Sequence, residues 1–156
     1  MLKVNKEVQG SVLVIKLDGS IDENVNFPEL VGPVQAQEVH VNCKGIPRIN
    51  SVGVKAWIKF FQGLADKGAK LVFKECSTAI VEQMNLISNF SCGGEVESIY
   101  VPFTCQGCGA ELVGLFKTEA LKASKFEIPN LKCTKCATAS AEFDDIPEEY
   151  FHFLMD

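Results

Sequence analysis

Residues 48–68 read RINSVGVKAWIKFFQGLADKG and give the clearest helix signal of the chain. Asn50 or Ser51 can accept hydrogen bonds from the first free amides, and Gly68 suits the left-handed residue that ends a helix. Because apolar residues recur at helical spacing and polar residues fill the opposite stripe, one face of this helix must pack on a sheet. The apolar set is Val54, Trp57, Ile58, Phe61 and Leu64, and the polar set is Lys55, Lys59, Gln62 and Asp66.

Strand patterns lie on both sides of this helix. Residues 3–18 predict a hairpin, since a turn signal at Gln9-Gly10 precedes alternating apolar residues. Strands alternating with helices predict an α/β domain with a mixed sheet of four or five strands and helices mainly on one face. The other predicted elements are a short helix capped near Asp22–Asn24 and running to Leu30, strands at 38–43, 71–73 and 95–101, and a helix from Ser77 to Ile87.

The composition changes at Pro102, where four cysteines, short β-like runs and an acidic tail replace the α/β rhythm. We therefore expect a domain over residues 1–101 and a second, smaller unit over 102–156. The second unit should end in a short helix over 147–154, with proline in its first turn.

Composition also narrows the function. The 156-residue chain has a formal net charge of −5, so we expect no general affinity for nucleic acid. Its apolar runs are too short for a membrane span and its first residues lack the apolar core of a signal peptide, which predicts a cytoplasmic protein. No pattern of residues suggests catalysis, and we expect a non-enzymatic protein.

Four of the seven cysteines form two matching pairs, Cys105–Cys108 and Cys133–Cys136. Each pair places two thiols across a tight turn, so that two such turns can complete a four-thiolate shell around one tetrahedral Zn²⁺. Disulfides, or a redox-active pair, are the alternative. With four cysteine ligands the zinc would have no open position and would be structural. The segment 104–143 resembles a zinc ribbon.

The remaining cysteines, Cys43, Cys76 and Cys92, have no matching spacing. The first two lie at or just past the ends of predicted buried strands, where a free cysteine behaves as a small hydrophobic residue. We interpret all three as structural.

The order of elements, together with the stretches 17–22 (LDGSID) and 48–54 (RINSVGV), resembles the STAS domain, the family that includes bacterial anti-sigma factor antagonists. The resemblance covers about residues 1–101. In that family an Asp-Ser-x-Gly-Leu-like motif opens the helix after the third strand, and a partner kinase phosphorylates its serine. Ser51 matches this serine and Gly53 the glycine, while Asn50 stands where antagonists have aspartate.

The resemblance implies a partner-switching or scaffold role in bacterial signal transduction. The docking site would consist of Asn50, Ser51, Val52, Gly53 and Val54, and Ser51 would be the candidate phosphorylation site. The partners would be a serine kinase, an anti-sigma factor or another signalling protein. Physical chemistry permits a phosphate at an exposed helix start, among free backbone amides. The alternative for Ser51 is an ordinary helix cap.

Two other functions stay open. The ribbon is locally basic, so a nucleic-acid-binding regulator would use residues such as Lys132 and Lys135. A thiol redox sensor would instead oxidise the four paired cysteines and release zinc.

Overall fold

The computed structural model describes residues 2–137 and 140–155. Within them the chain forms two sheets and several short or medium helices. The strands are β1 (Lys3–Gln9), β2 (Val12–Asp18), β3 (Glu38–Gly45), β4 (Lys70–Lys74), β5 (Glu95–Val96), β6 (Ser98–Cys105), β7 (Glu111–Lys117), β8 (Leu131–Lys132) and β9 (Ser140–Phe143). The helices are α1 (Phe27–Val31), α2 (Ser51–Asp66), α3 (Thr78–Leu86), α4 (Thr118–Ala123) and α5 (Pro147–Tyr150), followed by a 3₁₀ turn at His152–Leu154.

The first sheet is mixed, with five strands in the order β1-β2-β3-β4-β5. β1 and β2 form the predicted antiparallel hairpin around Gly10, and β2 to β5 pair in parallel. β3 lies inside the sheet between β2 and β4, as its continuous alternation predicts. The α/β fold class is therefore confirmed.

Helices cover one face of this sheet. Ile15, Val41 and Phe73 are in register across β2, β3 and β4, and each is fully buried. The next residue on each strand points to the opposite face and is lysine or asparagine, exposed or half-buried. Burial thus separates an apolar face under the helices from a more polar and more exposed face, on which Val72 of β4 is nevertheless buried.

Helix α2 begins and ends where the sequence predicts. The Asn50 side chain accepts a hydrogen bond from the Gly53 N–H at 2.8 Å, and Gly68 beyond the helix has a φ of 92°. Trp57 is fully buried, and its indole N–H donates to the Phe90 carbonyl at 3.0 Å. Burying the ring without this partner would cost free energy, so the hydrogen bond allows Trp57 to occupy the centre of the core.

The predicted helix near Asp22 starts later than expected. Asp22 accepts from the Asn24 N–H in a local turn, and α1 begins only at Phe27, with Asn26 as its cap. Pro28 lies in the first turn, where its missing N–H costs nothing. The cap at Asp22–Asn24 was wrong because a short polar side chain serves a turn as readily as a helix.

The strand predicted over 95–101 is in fact two strands. β5 pairs with β4, whereas β6 belongs to a second sheet in the order β7-β6-β9-β8. The break falls at Glu97, whose N–H still donates to the Phe73 carbonyl at 2.8 Å. β6 runs through the predicted boundary at residue 102, so both sides of that boundary share a strand. The division into two domains stays a prediction.

Contacts at two places help to attach the C-terminal part of the chain to the first sheet and its helices. Ile99 of β6 forms a parallel bridge with Cys76, just beyond β4. At the other end, the Asn85 side chain of α3 donates to the Tyr150 carbonyl at 2.8 Å and accepts from the Phe153 N–H at 2.9 Å. A single apolar core extends through both sheets.

Gly53 allows the start of α2 to approach the chain at Ile21. A Cβ on Gly53 would lie 2.4 Å from the Ile21 carbonyl oxygen and 2.8 Å from its carbon, both backbone atoms. The same carbonyl accepts from the Asn50 N–H at 3.1 Å. This close approach requires glycine and holds the loop before α2 against the sheet.

We predict that Gly53→Ala lowers the free energy of unfolding by about 1–3 kcal/mol, because backbone must move to admit the methyl group. Gly63→Ala in the same helix is the matched control, since no atom lies within 4 Å of its added Cβ. This control should stabilise the protein by about 0.5–1 kcal/mol. Urea unfolding measures both, and equal effects of the two substitutions would contradict the packing argument.

Candidate functional site

Two turns of the second sheet carry the four paired cysteines. Cys105 ends β6 and Cys108 lies in the turn before β7, while Cys133 and Cys136 lie in the turn between β8 and β9. β9 pairs with both β6 and β8. Its residue Ala141 lies opposite Cys105 of β6 on one side and opposite Leu131 of β8 on the other. The sheet register therefore brings the two turns side by side.

The sulfur positions fit one tetrahedral metal ion. The Sγ atoms of Cys105 and Cys136 are 3.6 Å apart, those of Cys108 and Cys133 are 3.7 Å apart, and all four lie within 4.8 Å of one another. A tetrahedron with metal–sulfur bonds of about 2.3 Å has edges of about 3.8 Å. In a disulfide, by contrast, the two sulfur atoms are only about 2.05 Å apart. The four thiols are unbonded, and together they could hold a metal ion.

Backbone amides in both turns point at the first sulfur of each pair. The N–H groups of Gly107 and Cys108 donate to Cys105 Sγ at 3.3 and 3.4 Å. Those of Lys135 and Cys136 donate to Cys133 Sγ, both at 3.4 Å. Such donors stabilise negative charge on sulfur, so both turns have the polarity that thiolate ligands require.

The thiols also compete with one another for protons. Hydrogen bonds from the backbone N–H of Cys136 and then Lys135 lower the pKa of the Cys133 thiol despite its desolvation. At Cys108 the backbone N–H of Ala110 lowers the pKa, but hydrogen bonding with Cys105 and the other thiols, together with desolvation, outweighs it and raises the pKa to about 11. Four thiolates can coexist here only with a cation between them.

The site is closed on most sides. Cys105 and Cys133 are buried, Cys136 is half-buried and Cys108 is exposed. All four donors are sulfur, and four sulfurs saturate a tetrahedral ion without leaving a position for water or substrate. The arrangement is suited to a structural metal.

The other three cysteines are buried away from this cluster. Burial, followed by a hydrogen bond with Cys76, raises the pKa of the Cys43 thiol well above its usual value. Burial also raises the pKa of Cys92. Thiols held neutral in this way are poor nucleophiles and poor metal ligands, in agreement with a packing role.

The start of α2 is the second candidate site. Asn50 supplies the cap, so the Ser51 hydroxyl is not used for capping; it is exposed and makes no hydrogen bond within the described part of the chain. Val52 is 49% exposed. Gly53 and Val54 are buried. Of the five residues predicted to dock a partner, only the first three therefore present side chains at the surface.

Glu23 also belongs to this site, although the sequence pattern did not predict its role. Its carboxylate accepts from Asn50 Nδ2 at 2.8 Å, so a single asparagine caps α2 and binds the loop before α1. An aspartate at position 50 would repel Glu23 instead. The signal available was the acidic-amide run Asp22-Glu23-Asn24, which we interpreted as a helix cap.

Two aromatic residues of α2 belong to neither site, and two lysines lie next to the cysteines. Trp57 is fully buried and unavailable to a partner, and Phe60 is half-buried in the aromatic cluster against Phe27. Lys132 and Lys135 are exposed beside the cysteine turns.

No protein-family model matches the chain, and a search of curated proteins found no similar sequence. Within the described residues, no helix has both the length and the apolar character needed to cross a membrane.

We predict that the chain binds one divalent metal ion and that Cys108→Ser weakens this binding more than about 100-fold, because it removes a ligand rather than an outer contact. Cys92→Ser makes the same chemical change at a buried cysteine outside the cluster and should keep full occupancy. Elemental analysis after dialysis against a weak chelator gives the metal content per chain. Full occupancy in Cys108→Ser would contradict a four-thiolate site.

Proposed function

We propose that this chain is a non-enzymatic signalling or scaffold protein of the STAS type that binds protein partners through the start of α2 and is switched by phosphorylation of Ser51. The observation that carries the proposal is the Ser51 hydroxyl, which is exposed in the first helical turn while its neighbour Asn50 provides the cap. A serine that capped the helix would be held by the backbone and would lose its cap when modified.

The electrostatics at this helix start favour a phosphate. The first amides of the 16-residue α2 carry the positive end of the helix dipole. Lys55 lies one turn after Ser51, and Arg48 precedes it in the loop; both are exposed and neither forms an ion pair within the described residues. Phosphorylated Ser51 would therefore find cations within reach on two sides.

Glu23 gives the modification a local consequence. A phosphate would add about −1.5 to −2 charge near the carboxylate that Asn50 binds. Repulsion between the two groups opposes the Asn50–Glu23 hydrogen bond and changes the charge of the loop before α1. One modification thus alters two adjoining surface segments without rearranging the sheet.

The surface around Ser51 has room for a partner. Val52 offers an exposed apolar side chain, and a shallow groove of about 230 Å³ lies between the loop before α2 and helix α3. Its walls include Ile49 from the loop and Glu82 from α3. The partner we propose is a serine kinase, an anti-sigma factor or another signalling protein that contacts α2 and α3 together.

We further propose that the metal is a single structural Zn²⁺, held by Cys105, Cys108, Cys133 and Cys136. Four thiolates in tetrahedral geometry are the donor set of structural zinc, and zinc needs no redox partner. The ion would compensate for a ribbon that has only a small core of its own. The proposed localisation is the cytoplasm, where thiols stay reduced.

The test compares Ser51→Ala and Ser51→Glu as baits in extracts of the native cell, with phosphopeptide mass spectrometry on the wild-type chain. We expect phosphate on Ser51 and a partner whose capture differs about tenfold or more between the two variants, because charge at an interface changes affinity on this scale. Ser11→Glu, at an exposed serine in the β1–β2 turn, is the control and should behave like wild type.

An unmodified Ser51, with the same partners captured by both variants, would contradict switching. Recovery of nucleic acid as the only ligand would contradict the proposal as a whole.

A further inference from the structure

Strand β7 is a free edge of the second sheet. It pairs with β6 along all seven of its residues, and no other strand within the described residues lies on its far side. The pairing has no bulge and the strand has no proline. A long, regular, unpaired edge is a template for another strand.

The register identifies which groups are unpaired. Bonds from Thr118 N–H to the Glu97 carbonyl and from Cys105 N–H to the Ala110 carbonyl flank the ladder between β6 and β7. Alternation in an antiparallel ladder then directs the backbone groups of residues 111, 113, 115 and 117 away from β6. Residues 111, 113 and 115 thus offer both N–H and C=O to a new strand, whereas the Lys117 carbonyl accepts the first hydrogen bond of α4.

The side chains near this edge are apolar. Val113 is 56% exposed and Leu115 is 48% exposed, on the face opposite the core of the second sheet. Their partners on β6 are Pro102 and Tyr100, both half-buried, which widen the apolar surface. Apolar side chains beside unpaired backbone favour association over solvation.

The edge strand β1 of the first sheet, in contrast, is protected. β1 carries charged residues along its length, and Lys6 is on the core-facing side of the hairpin opposite buried Ile15. Its ammonium group donates to the Val31 carbonyl. A charge directed inward on an edge strand prevents a further strand from adding. β7 has no such device between its two ends.

Two copies of β7, with the sequence ELVGLFK, have complementary side chains when they run antiparallel. Antiparallel pairing of two copies about Gly114 places Glu111 opposite Lys117 at both ends and Val113 opposite Leu115 on the exposed face. Leu112 falls opposite Phe116 on the other face. Opposite charges and apolar pairs both stabilise antiparallel strands. We propose that β7 pairs antiparallel with β7 of a second copy, forming a two-fold symmetric homodimer.

This dimer extends the sheet without using the metal site or the start of α2. After Lys117 the chain turns back toward the core, since the Thr118 hydroxyl donates to the Val96 carbonyl at 2.6 Å and Leu121 of α4 is buried. Symmetry makes each contact occur twice, which increases the effect of any single charge change.

Charge reversal tests the pairing in the full, metal-loaded chain by sedimentation equilibrium. Glu111→Lys places like charges together at both ends and should weaken dimerisation about tenfold or more. The double variant Glu111→Lys/Lys117→Glu restores opposite charges and should return the dissociation constant to within about threefold of wild type. Glu148→Lys makes the same charge change at an exposed site on α5 and should have no effect.

Wild-type chain that stays monomeric at about 500 µM would overturn the proposal, because that concentration exceeds the range expected for a specific strand-paired dimer. A dimer that Glu111→Lys does not weaken, or that the double variant does not restore, would overturn it equally. Circular dichroism of each variant establishes that the chains compared are folded.

Discussion

The backbone bridge between Cys76, just beyond β4, and Ile99 attaches β6 to the end of the first sheet, and the position of the C-terminal half depends on it. The Cys76 N–H donates to the Ser98 carbonyl at 3.0 Å, and the Tyr100 N–H donates to the Cys76 carbonyl at 2.8 Å. From this point β6 extends to Cys105, the first residue of the cysteine cluster. One strand thus connects the apolar core with the proposed metal centre.

Several features of the C-terminal half favour the proposed metal site. Two strands of its sheet, β8 and β9, are short, and its aromatic cluster depends on Phe143, Tyr150 and Phe151 near the chain end. The Tyr150 hydroxyl donates to the Tyr100 carbonyl at 2.6 Å, and Asn85 binds the backbone just before the 3₁₀ turn and within it. These contacts anchor the end of the chain to β6 and α3. The two turns that carry the cysteines lie outside these contacts and contain little apolar surface. A bound metal ion would therefore supply the stability that apolar packing does not provide there.

Much of this architecture was predictable from the sequence. Strict alternation identified β2 and β3, and helical spacing with Asn50 and Gly68 at the ends identified α2, because these signals are local. The four cysteines were predictable as a cluster since two equal turns demand a common ligand. The break at Glu97 was not, because β5 before it pairs with β4 whereas β6 after it pairs with β7 and β9, and strand partners are a property of the tertiary fold. Glu23 was missed for a similar reason: its partner Asn50 is distant in sequence and the local turn gives no sign of the contact.

The central claim is that β6 joins the first sheet to a second sheet whose cysteine turns depend on the proposed metal ion. Hydrogen–deuterium exchange of the backbone amides, measured with the metal bound and after its removal by a chelator under reducing conditions, tests this directly. The account predicts that amides of β7, β8 and β9 lose protection by about 100-fold or more while those of β2, β3, β4 and α2 change by less than about threefold. Equal loss throughout the chain, or full protection of the ribbon without metal, would contradict it.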